Sequence, residues 1–404
     1  MFSQYSYREV LTYVREEDVK FIRLAFFDIF GVQKNISIMP DELERAFTEG
    51  ISFDASAVAG FGDEVHSDLF LRPDSSTIAV LPWRPSHGRV ARMYCDIYRP
   101  DGTLYQPDSR YLLKQAVATA TKQGITVSFG PEVEFYLFET DEQGRPTKIP
   151  FDNAGYMDIS PADKGENVRR EICFTLIDMG VNPEASHHEE GPGQNEIDFR
   201  HSDALSAADN TSIFKWIVKT ISARNGLHAD FSPKPLLDQP GNGMHLNISV
   251  HNNHGIDYKN AFMAGVLEHI ADMTIFLNPQ EESYLRLGGK KAPRYITWSP
   301  ENRSQLIRIP SAGKKYDRLE LRSPDPSCNI YLAFALLIYA GLDGINRNLI
   351  PAEPCNLNLY TAGSEVTDTL KVLPENKAEA AKLARNSTFI QTLLPVEYLR
   401  AYCD

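Results

Sequence analysis

The fold is decided by a stretch in which apolar and polar side chains alternate strictly: Met244-His245-Leu246-Asn247-Ile248-Ser249-Val250. Successive side chains on a β-strand point to opposite faces, so His245, Asn247 and Ser249 share one face. The other face carries only apolar residues. The pattern therefore predicts a strand with one polar face and one face buried in a core.

The same alternation recurs in three further stretches: Glu132-Val133-Glu134-Phe135, Glu196-Ile197-Asp198-Phe199 and Arg318-Leu319-Glu320-Leu321-Arg322. Together the four stretches predict a single polar cavity walled by strands. Carboxylates on inward faces need cations beside them, because an unpaired buried charge is costly. Any one of these acids alone could be a solvated or salt-bridged strand residue, but the repetition argues against that alternative. We therefore expect an enzyme site that binds several metal ions and handles anions.

The metal-binding side chains are five carboxylates and one imidazole. They are Glu132, Glu134, Glu189, Glu196, Glu320 and His245. Hard oxygen ligands dominate this set, which favours Mg²⁺ or Mn²⁺ over zinc. The pair His187-His188 has no HExxH or Cys/His spacing around it, so we interpret it as structural.

Length, charge and cysteine content limit the class of protein. A chain of 404 residues predicts two domains, and a net charge of −13 argues against non-specific nucleic-acid binding. Five scattered cysteines without a CxxC pair are typical of reduced thiols. The first ten residues lack a secretory pattern, and the longest apolar stretch, 331–345, is too short to span a bilayer. We expect a cytoplasmic protein without a membrane partner.

Strand-like and helical patterns divide the chain near residue 100. We expect a small α+β domain over 15–100 and a larger domain over 105–404. Helices are predicted over 111–123, 166–179, 207–225 and 258–277, and a Gly/Pro/Asp-rich loop over 141–156. The fold class is α+β, and the larger domain is expected to hold a curved, mainly antiparallel sheet backed by helices.

Arginines concentrate in the C-terminal half of the chain. They are Arg286, Arg303, Arg308, Arg318 and Arg322. Guanidinium groups bind carboxylates and phosphates through two parallel hydrogen bonds, as a site for an acid and a nucleotide would require. We expect one or two of them to pair with the metal-site glutamates instead. The sequence has neither a Walker loop nor GxGxxG, so metals and arginines would have to hold any nucleotide.

From about residue 21 to residue 360, the sequence resembles the glutamine synthetase family, of the bacterial type I class. The motifs that carry the resemblance are Phe53-Asp54-Ala55-Ser56, Gly130-Pro131-Glu132-Val133-Glu134, Ala185-Ser186-His187-His188-Glu189, Pro192-Gly193-Gln194-Asn195-Glu196-Ile197-Asp198-Phe199, Gly243-Met244-His245, Asn302-Arg303-Ser304, Ile307-Arg308-Ile309-Pro310 and Glu320-Leu321-Arg322-Ser323-Pro324-Asp325-Pro326. The resemblance implies an N-terminal β-grasp domain, a catalytic domain and active sites shared between neighbouring subunits of a homo-oligomeric ring.

The implied reaction joins glutamate and ammonia into glutamine at the expense of ATP, through a γ-glutamyl phosphate. By resemblance, one metal ion is held by Glu134, Glu189 and Glu196, and a second by Glu132, His245 and Glu320. The implied substrate residues are Tyr156, Gly241, Arg286 and Arg322; the catalytic ones are Asp54 from the adjacent subunit, Arg303 and Arg308; and the nucleotide-binding ones are Asn247, Ser249, Arg308, Lys315 and Arg318.

The sequence departs from the family pattern where the amine should bind. Lys291 stands where the family usually has a flap glutamate that helps to deprotonate ammonium, and Ala57 replaces a serine. A lysine is normally protonated and repels a cation. Two alternatives therefore stay open: a γ-glutamyl ligase for a different amine, and a catalytically idle regulatory relative. The chain also stops at Asp404 soon after Leu394, where members of this class continue into the opposing ring, so a single ring and a stacked double ring both stay open as alternatives.

Overall fold

The computed structural model describes residues 5–62, 65–84, 87–253, 255–289, 291–311 and 318–404. The chain divides into two compact units. The N-terminal unit runs to Leu112 and also includes Asp178–Gly180 and Pro395–Ala401. The C-terminal unit comprises Leu113–Ile177, Val181–Leu394 and Tyr402–Asp404.

The N-terminal unit is built around a mixed sheet. Its elements are α1 (Tyr7–Glu16), β1 (Val19–Phe27), β2 (Gln33–Ile38), α2 (Leu43–Thr48), β3 (Ile51–Asp54), β4 (Asp68–Pro73), β5 (Ala79–Val80) and β6 (Arg89–Tyr98). The strand order is β2-β1-β6-β4-β3, with β5 also paired to β6. Strands β1 and β6 run parallel. Leu24, Leu43 and Met93 are fully buried in the core of this unit, where α2 covers the sheet.

The remaining elements belong to the larger unit, except for residues 109–112, 178 and 396–401, which belong to the N-terminal unit. They are α3 (Ser109–Lys122), β7 (Ile125–Thr140), β8 (Pro146–Pro150), α4 (Glu166–Asp178), β9 (Pro183–His188), β10 (Gln194–Phe199), β11 (Ser202–Asp203), α5 (Ala204–Arg224), β12 (Leu227–Asp230), β13 (Met244–Asn252), α6 (Lys259–Leu277), α7 (Glu281–Arg286), β14 (Trp298–Pro300), β15 (Ile307–Ile309), β16 (Leu319–Leu321), α8 (Ile330–Asn346), α9 (Ser364–Thr367), α10 (Lys377–Asn386), α11 (Thr388–Leu393) and α12 (Val396–Cys403).

The sheet of the C-terminal unit is mainly antiparallel. Its order is β14-β15-β16-β13-β7-β10-β9, and β8, β11 and β12 pair with β7 as well. The long strand β7 is buried on its apolar face, where the ring of Phe129 stacks on Phe334 of α8 with centroids 3.8 Å apart. Helix α8 is buried along almost its whole length, as expected for a helix that is apolar on all sides. The α+β fold class is confirmed.

The structure differs from the sequence-based expectations in two segments. The loop expected over 141–156 contains strand β8, which pairs with the end of β7. The expected strand 318–322 is shorter, since only Leu319–Leu321 form β16 among the described residues. The predicted helices differ from α3, α4, α5 and α6 by no more than a few residues at each end. In the described part of the chain, no helix is both long and apolar enough to cross a bilayer.

Candidate active site

Strand pairing brings the chemically active side chains onto one face of the C-terminal sheet. The register between β7 and β13 sets His245 opposite Glu132. The register between β7 and β10 sets Glu196 opposite Glu134. Side chains directly opposite each other on neighbouring strands lie about 5 Å apart at Cβ, so alternation alone puts these groups within reach of a shared ligand.

Two acidic clusters result from this register. Ligand atoms of Glu134, Glu189 and Glu196 lie within 4.8 Å of one another, and so do those of Glu132, Glu196 and His245. Glu196 belongs to both clusters. Oxygen-rich groups of this kind match the ligand preference of Mg²⁺ and Mn²⁺.

Protonation of these groups also suits a divalent cation. Burial, with the neighbouring Glu189 carboxylate, raises the pKa of Glu134 to about 7. Burial and the carboxylates of Glu134 and Glu132 raise the pKa of Glu196 well above its ordinary value. Burial lowers the pKa of His245 to about 4, which keeps the imidazole neutral and able to donate an electron pair. The crowded acids therefore fit a site that gains its balancing positive charge from bound metal.

Glu320 has a different environment from the other five groups. Its fully buried carboxylate accepts hydrogen bonds from the guanidinium groups of Arg308 and Arg322. His245 Nδ1 lies 3.9 Å from the same carboxylate. Two of the five arginines thus pair with a proposed metal ligand, as expected from the sequence. The arrangement positions both guanidinium groups beside the second acidic cluster.

A cavity of about 620 Å³ opens beside the first acidic cluster. Glu134, Glu189, Tyr156, Gly241 and Arg286 are among the residues that line it. Gly241 is required by close approach, since a Cβ there would lie 2.4 Å from the carbonyl oxygen of Pro233. Arg286 is buried and donates to the carbonyl oxygens of Ser323 at 2.7 Å and Arg322 at 3.2 Å. These contacts hold its guanidinium at the cavity wall.

The residues assigned to the nucleotide lie on and near β13. Asn247 Nδ2 donates to Glu132 Oε1 at 2.8 Å, and Arg318 Nε donates to Asn247 Oδ1 at 2.7 Å. Ser249 is half-buried farther along the same strand. Arg303 is exposed in the turn before β15, where its carbonyl oxygen accepts from the Tyr360 hydroxyl at 3.2 Å. Lys315 lies outside the described residues.

Asp54 is the one proposed site residue in the N-terminal unit. It lies at the end of β3 and is exposed. Its carboxylate accepts from the backbone N–H of Ser56 at 2.9 Å and from the Ser56 hydroxyl at 2.6 Å. These hydrogen bonds lower the pKa of Asp54, so the group is ionised at neutral pH.

The sequence-based assignment left out three residues that contact the candidate site. Gln194 Nε2 donates to Glu134 Oε2 at 3.2 Å and to the carbonyl oxygen of Gly241, and so links the acidic cluster to the cavity wall. Glu190 forms an ion pair with Lys291 at 3.1 Å. His187 Nε2 lies 3.1 Å from Glu196 Oε1, whereas His188 is buried against Asp152. For Glu190, the sequence did offer a signal, since this residue directly follows Glu189, a proposed metal ligand.

Comparison with known proteins shows what class of enzyme carries this site. The family model "Glutamine synthetase, beta-Grasp domain" matches residues 18–100, and "Glutamine synthetase, catalytic domain" matches residues 106–404. Proteins named glutamine synthetase from Clostridium saccharobutylicum and Methanosarcina mazei are each 44% identical, over 97% and 96% of this chain and 92% and 90% of their own length. The protein is thus an ATP-dependent ligase. It belongs to the glutamine synthetase family.

Solved structures agree with this assignment. A complex of GmaS with ADP is 28% identical, with a TM-score of 0.88, and the match covers 100% of this chain and 94% of that one. A cryo-EM structure of Plasmodium falciparum glutamine synthetase, 24% identical, has a TM-score of 0.87 over 99% of this chain and 95% of its own. The second match shows the fold alone.

Proposed function

We propose that this protein forms glutamine from glutamate and ammonia with ATP, through a γ-glutamyl phosphate. The observation that carries the proposal is the convergence of Glu134, Glu189 and Glu196 beside the cavity that Arg286 lines. The names of relatives at 44% identity support the same reaction, and the ADP complex of GmaS supports nucleotide binding.

The chain's own residues divide the work of the reaction. Arg286 and Arg322 would bind glutamate, with Gly241 at the wall of its pocket. Asn247, Ser249, Lys315 and Arg318 would bind the nucleotide, and Arg303 and Arg308 would face its phosphates, where guanidinium groups offset developing negative charge. Glu134, Glu189 and Glu196 would hold one Mg²⁺ or Mn²⁺ ion, and Glu132, His245 and Glu320 would hold a second. Such ions would supply further positive charge toward the transferring phosphoryl group.

The chemistry then has two steps. The side-chain carboxylate of glutamate attacks the terminal phosphorus of ATP, the bond to the bridging oxygen breaks, and ADP leaves. An amine next attacks the activated carbonyl carbon, phosphate leaves, and the amine loses a proton. Tyr156 and the exposed carboxylate of Asp54 are proposed to bind the amine, with Asp54 supplied by the adjacent subunit of a homo-oligomeric ring.

Domain division and location complete the proposal. The two domains are proposed to span 15–100 and 105–404. All five cysteines carry free thiols, which supports a reducing compartment such as the cytoplasm.

A second candidate function is a γ-glutamyl ligase for a different amine. The observation that favours it is Lys291, whose ammonium lies 4.7 Å from the ring centroid of Tyr156, in the proposed amine site. A carboxylate at this point would attract ammonium, whereas a lysine repels it.

Release of ADP and phosphate tests both candidates. Purified protein receives Mg-ATP, glutamate and one member of a panel of amines, and the γ-glutamyl product is identified by chromatography. Ammonium as the best nucleophile supports glutamine formation, and another amine with a higher kcat/KM supports the second candidate. Glu196→Ala should abolish turnover, whereas Glu184→Ala, which alters an exposed carboxylate on β9, should not. Failure of every amine to stimulate turnover would point to an idle relative.

A further inference from the structure

The ammonium of Lys291 lies among groups that bind cations. Its Nζ is 3.1 Å from Glu190 Oε1 and 3.7 Å from Glu189 Oε2. It also lies over the ring of Tyr156, 4.7 Å from the centroid. All four residues belong to the C-terminal unit. We call Glu189, Glu190 and the face of Tyr156 the cation cage.

The cage is partly shielded from water. Side-chain exposure is 9% for Glu189, 25% for Glu190 and 35% for Lys291. The main chain of Lys291 has a left-handed φ of 63°, and its carbonyl oxygen accepts from Arg322 at 3.3 Å. The backbone is thus tied to the glutamate-binding region, while the side chain extends separately into the cage. A change of the side chain leaves the backbone contact with Arg322 in place.

The cage suits a protonated primary amine. Carboxylates attract an ammonium, and an aromatic face adds a cation–π attraction. The side chain of Lys291 is itself a primary alkylammonium, so its position demonstrates that a group of this size and charge fits. Ammonium and small alkylammonium ions offer the same charge in a smaller volume. The same cage therefore fits the cationic form of the amine that the ligase reaction consumes.

We propose that Lys291 is a specificity-determining residue, because its ammonium occupies the cation cage and must leave before a cationic amine can enter. The inference rests on the proposed function and adds that the Lys291 ammonium competes with the amine substrate for the cation cage. The apparent affinity of an amine is reduced by the fraction of molecules in which the cage is open. Lys291 therefore raises the KM for cationic primary amines and leaves the sites for ATP and glutamate unchanged.

Steady-state kinetics test the competitor directly. Lys291→Met keeps most of the length of the side chain and removes its charge, and we expect the KM for ammonium and for methylammonium to fall about fivefold. The KM values for ATP and glutamate should stay within about twofold. Lys291→Arg retains the charge and should retain the high amine KM.

A matched control is available on β8. Lys148 forms an ion pair with Asp230 at 2.8 Å and lies 5.1 Å from the ring centroid of Phe138, so Lys148→Met removes the same combination of contacts elsewhere. It should leave the amine KM unchanged. An amine KM in Lys291→Met that equals or exceeds that of the unaltered protein would overturn the proposal.

A crystallographic readout separates this inference from the proposed reaction. Crystals of the unaltered protein and of Lys291→Met are soaked in thallous acetate with Mg²⁺ present, and Tl⁺, a monovalent ion close in size to ammonium, is located by anomalous scattering. Tl⁺ in the cage of the variant but not of the unaltered protein supports the proposal, and its absence from both overturns it. Loss of all amine-dependent turnover would reject the proposed function, while the soak still decides the role of Lys291.

Discussion

Glu196 is the side chain on which the acidic clusters converge. Its carboxylate lies within 4.8 Å of ligand atoms in three groups, formed with Glu134 and Glu189, with Glu132 and His245, and with His187 and Asp198. It is 7% exposed. Because this carboxylate lies within reach of both acidic clusters, its charge acts on a cation bound in either one.

We expect Glu196→Gln to weaken Mn²⁺ binding at both sites by at least about tenfold, because an amide keeps the size of the side chain but loses its charge. Titration calorimetry of the purified protein measures the affinity and the number of ions bound. Glu184→Gln is the control, since Glu184 is an exposed carboxylate on the neighbouring strand. Loss of one site with the other unaltered would show that Glu196 is not shared.

Arg169 illustrates a structural charge close to the site. Its guanidinium donates to Asp163 Oδ2 at 2.6 Å and to Asn195 Oδ1 at 2.5 Å, and the side chains of Arg169 and Asp163 are 5% and 2% exposed. Arg169→Met would leave the Asp163 carboxylate buried without its cation. We expect the free energy of unfolding to fall by about 3–5 kcal/mol, measured by urea denaturation.

The exposed ion pair of Arg145 and Asp141 provides the comparison for this prediction. Its arginine side chain is 72% exposed, so Arg145→Met should cost less than about 1 kcal/mol. If Arg169→Met and Arg145→Met lowered the free energy of unfolding by the same amount, the distinction between buried and exposed ion pairs would be contradicted.

At the scale of elements, β7 organises the site because β10 and β13 pair with its two edges. Alternation of residue type predicted these strands and the face that each acid occupies, since the side-chain period of a strand is two. The register that sets His245 opposite Glu132 could not be predicted, because the paired strands are more than a hundred residues apart in sequence. The ion pair of Arg169 with Asp163 could not be predicted for a different reason: the two residues are only six apart, but no local pattern distinguishes a buried charge from a solvated one.

The crossing of α6 and α8 depends on glycine. A Cβ on Gly265 would lie 2.1 Å from the carbonyl oxygen of Ala340, and one on Gly344 would lie 2.1 Å from that of Ala261. Contacts this short force the helices apart. We expect Gly265→Ala to lower the free energy of unfolding by about 1–3 kcal/mol in urea denaturation. Glu268→Ala, on the exposed face of α6, should change it little; a Gly265→Ala protein as stable as the parent would show that the helices can separate freely.

At the scale of the whole molecule, stability should respond to alkaline pH through Lys215. Burial lowers the pKa of this lysine to about 8, from 10.5, and its ammonium donates to the carbonyl oxygen of Pro326 at 2.6 Å. Between these two pH values the folded chain has released a proton that the unfolded chain still holds. The contribution of Lys215 to the free energy of unfolding therefore rises with pH across this window.

Urea denaturation from pH 7 to pH 10 measures this contribution as the difference between the parent protein and Lys215→Met. As pH rises, we expect the free energy of unfolding of the parent to increase relative to that of Lys215→Met. Lys219→Met alters an exposed lysine on the same helix and should retain most of the pH-dependent rise in the free energy of unfolding that the parent shows. Parallel curves for the parent and Lys215→Met would show that Lys215 stays charged when folded.

The proposed supply of Asp54 by an adjacent subunit makes assembly testable. Asp54 belongs to the N-terminal unit, and the metal-binding residues belong to the C-terminal unit. If a head-to-tail ring supplies Asp54 from a neighbour, then Asp54→Ala and Glu196→Gln should each be inactive alone but active when mixed. Random assembly from equal amounts gives about a quarter of sites with both intact residues. Co-expression of the two variants with different affinity tags, followed by purification on both tags and assay of ADP release, measures this recovery. Activity that stays at the level of the separate variants would mean that Asp54 acts within its own chain.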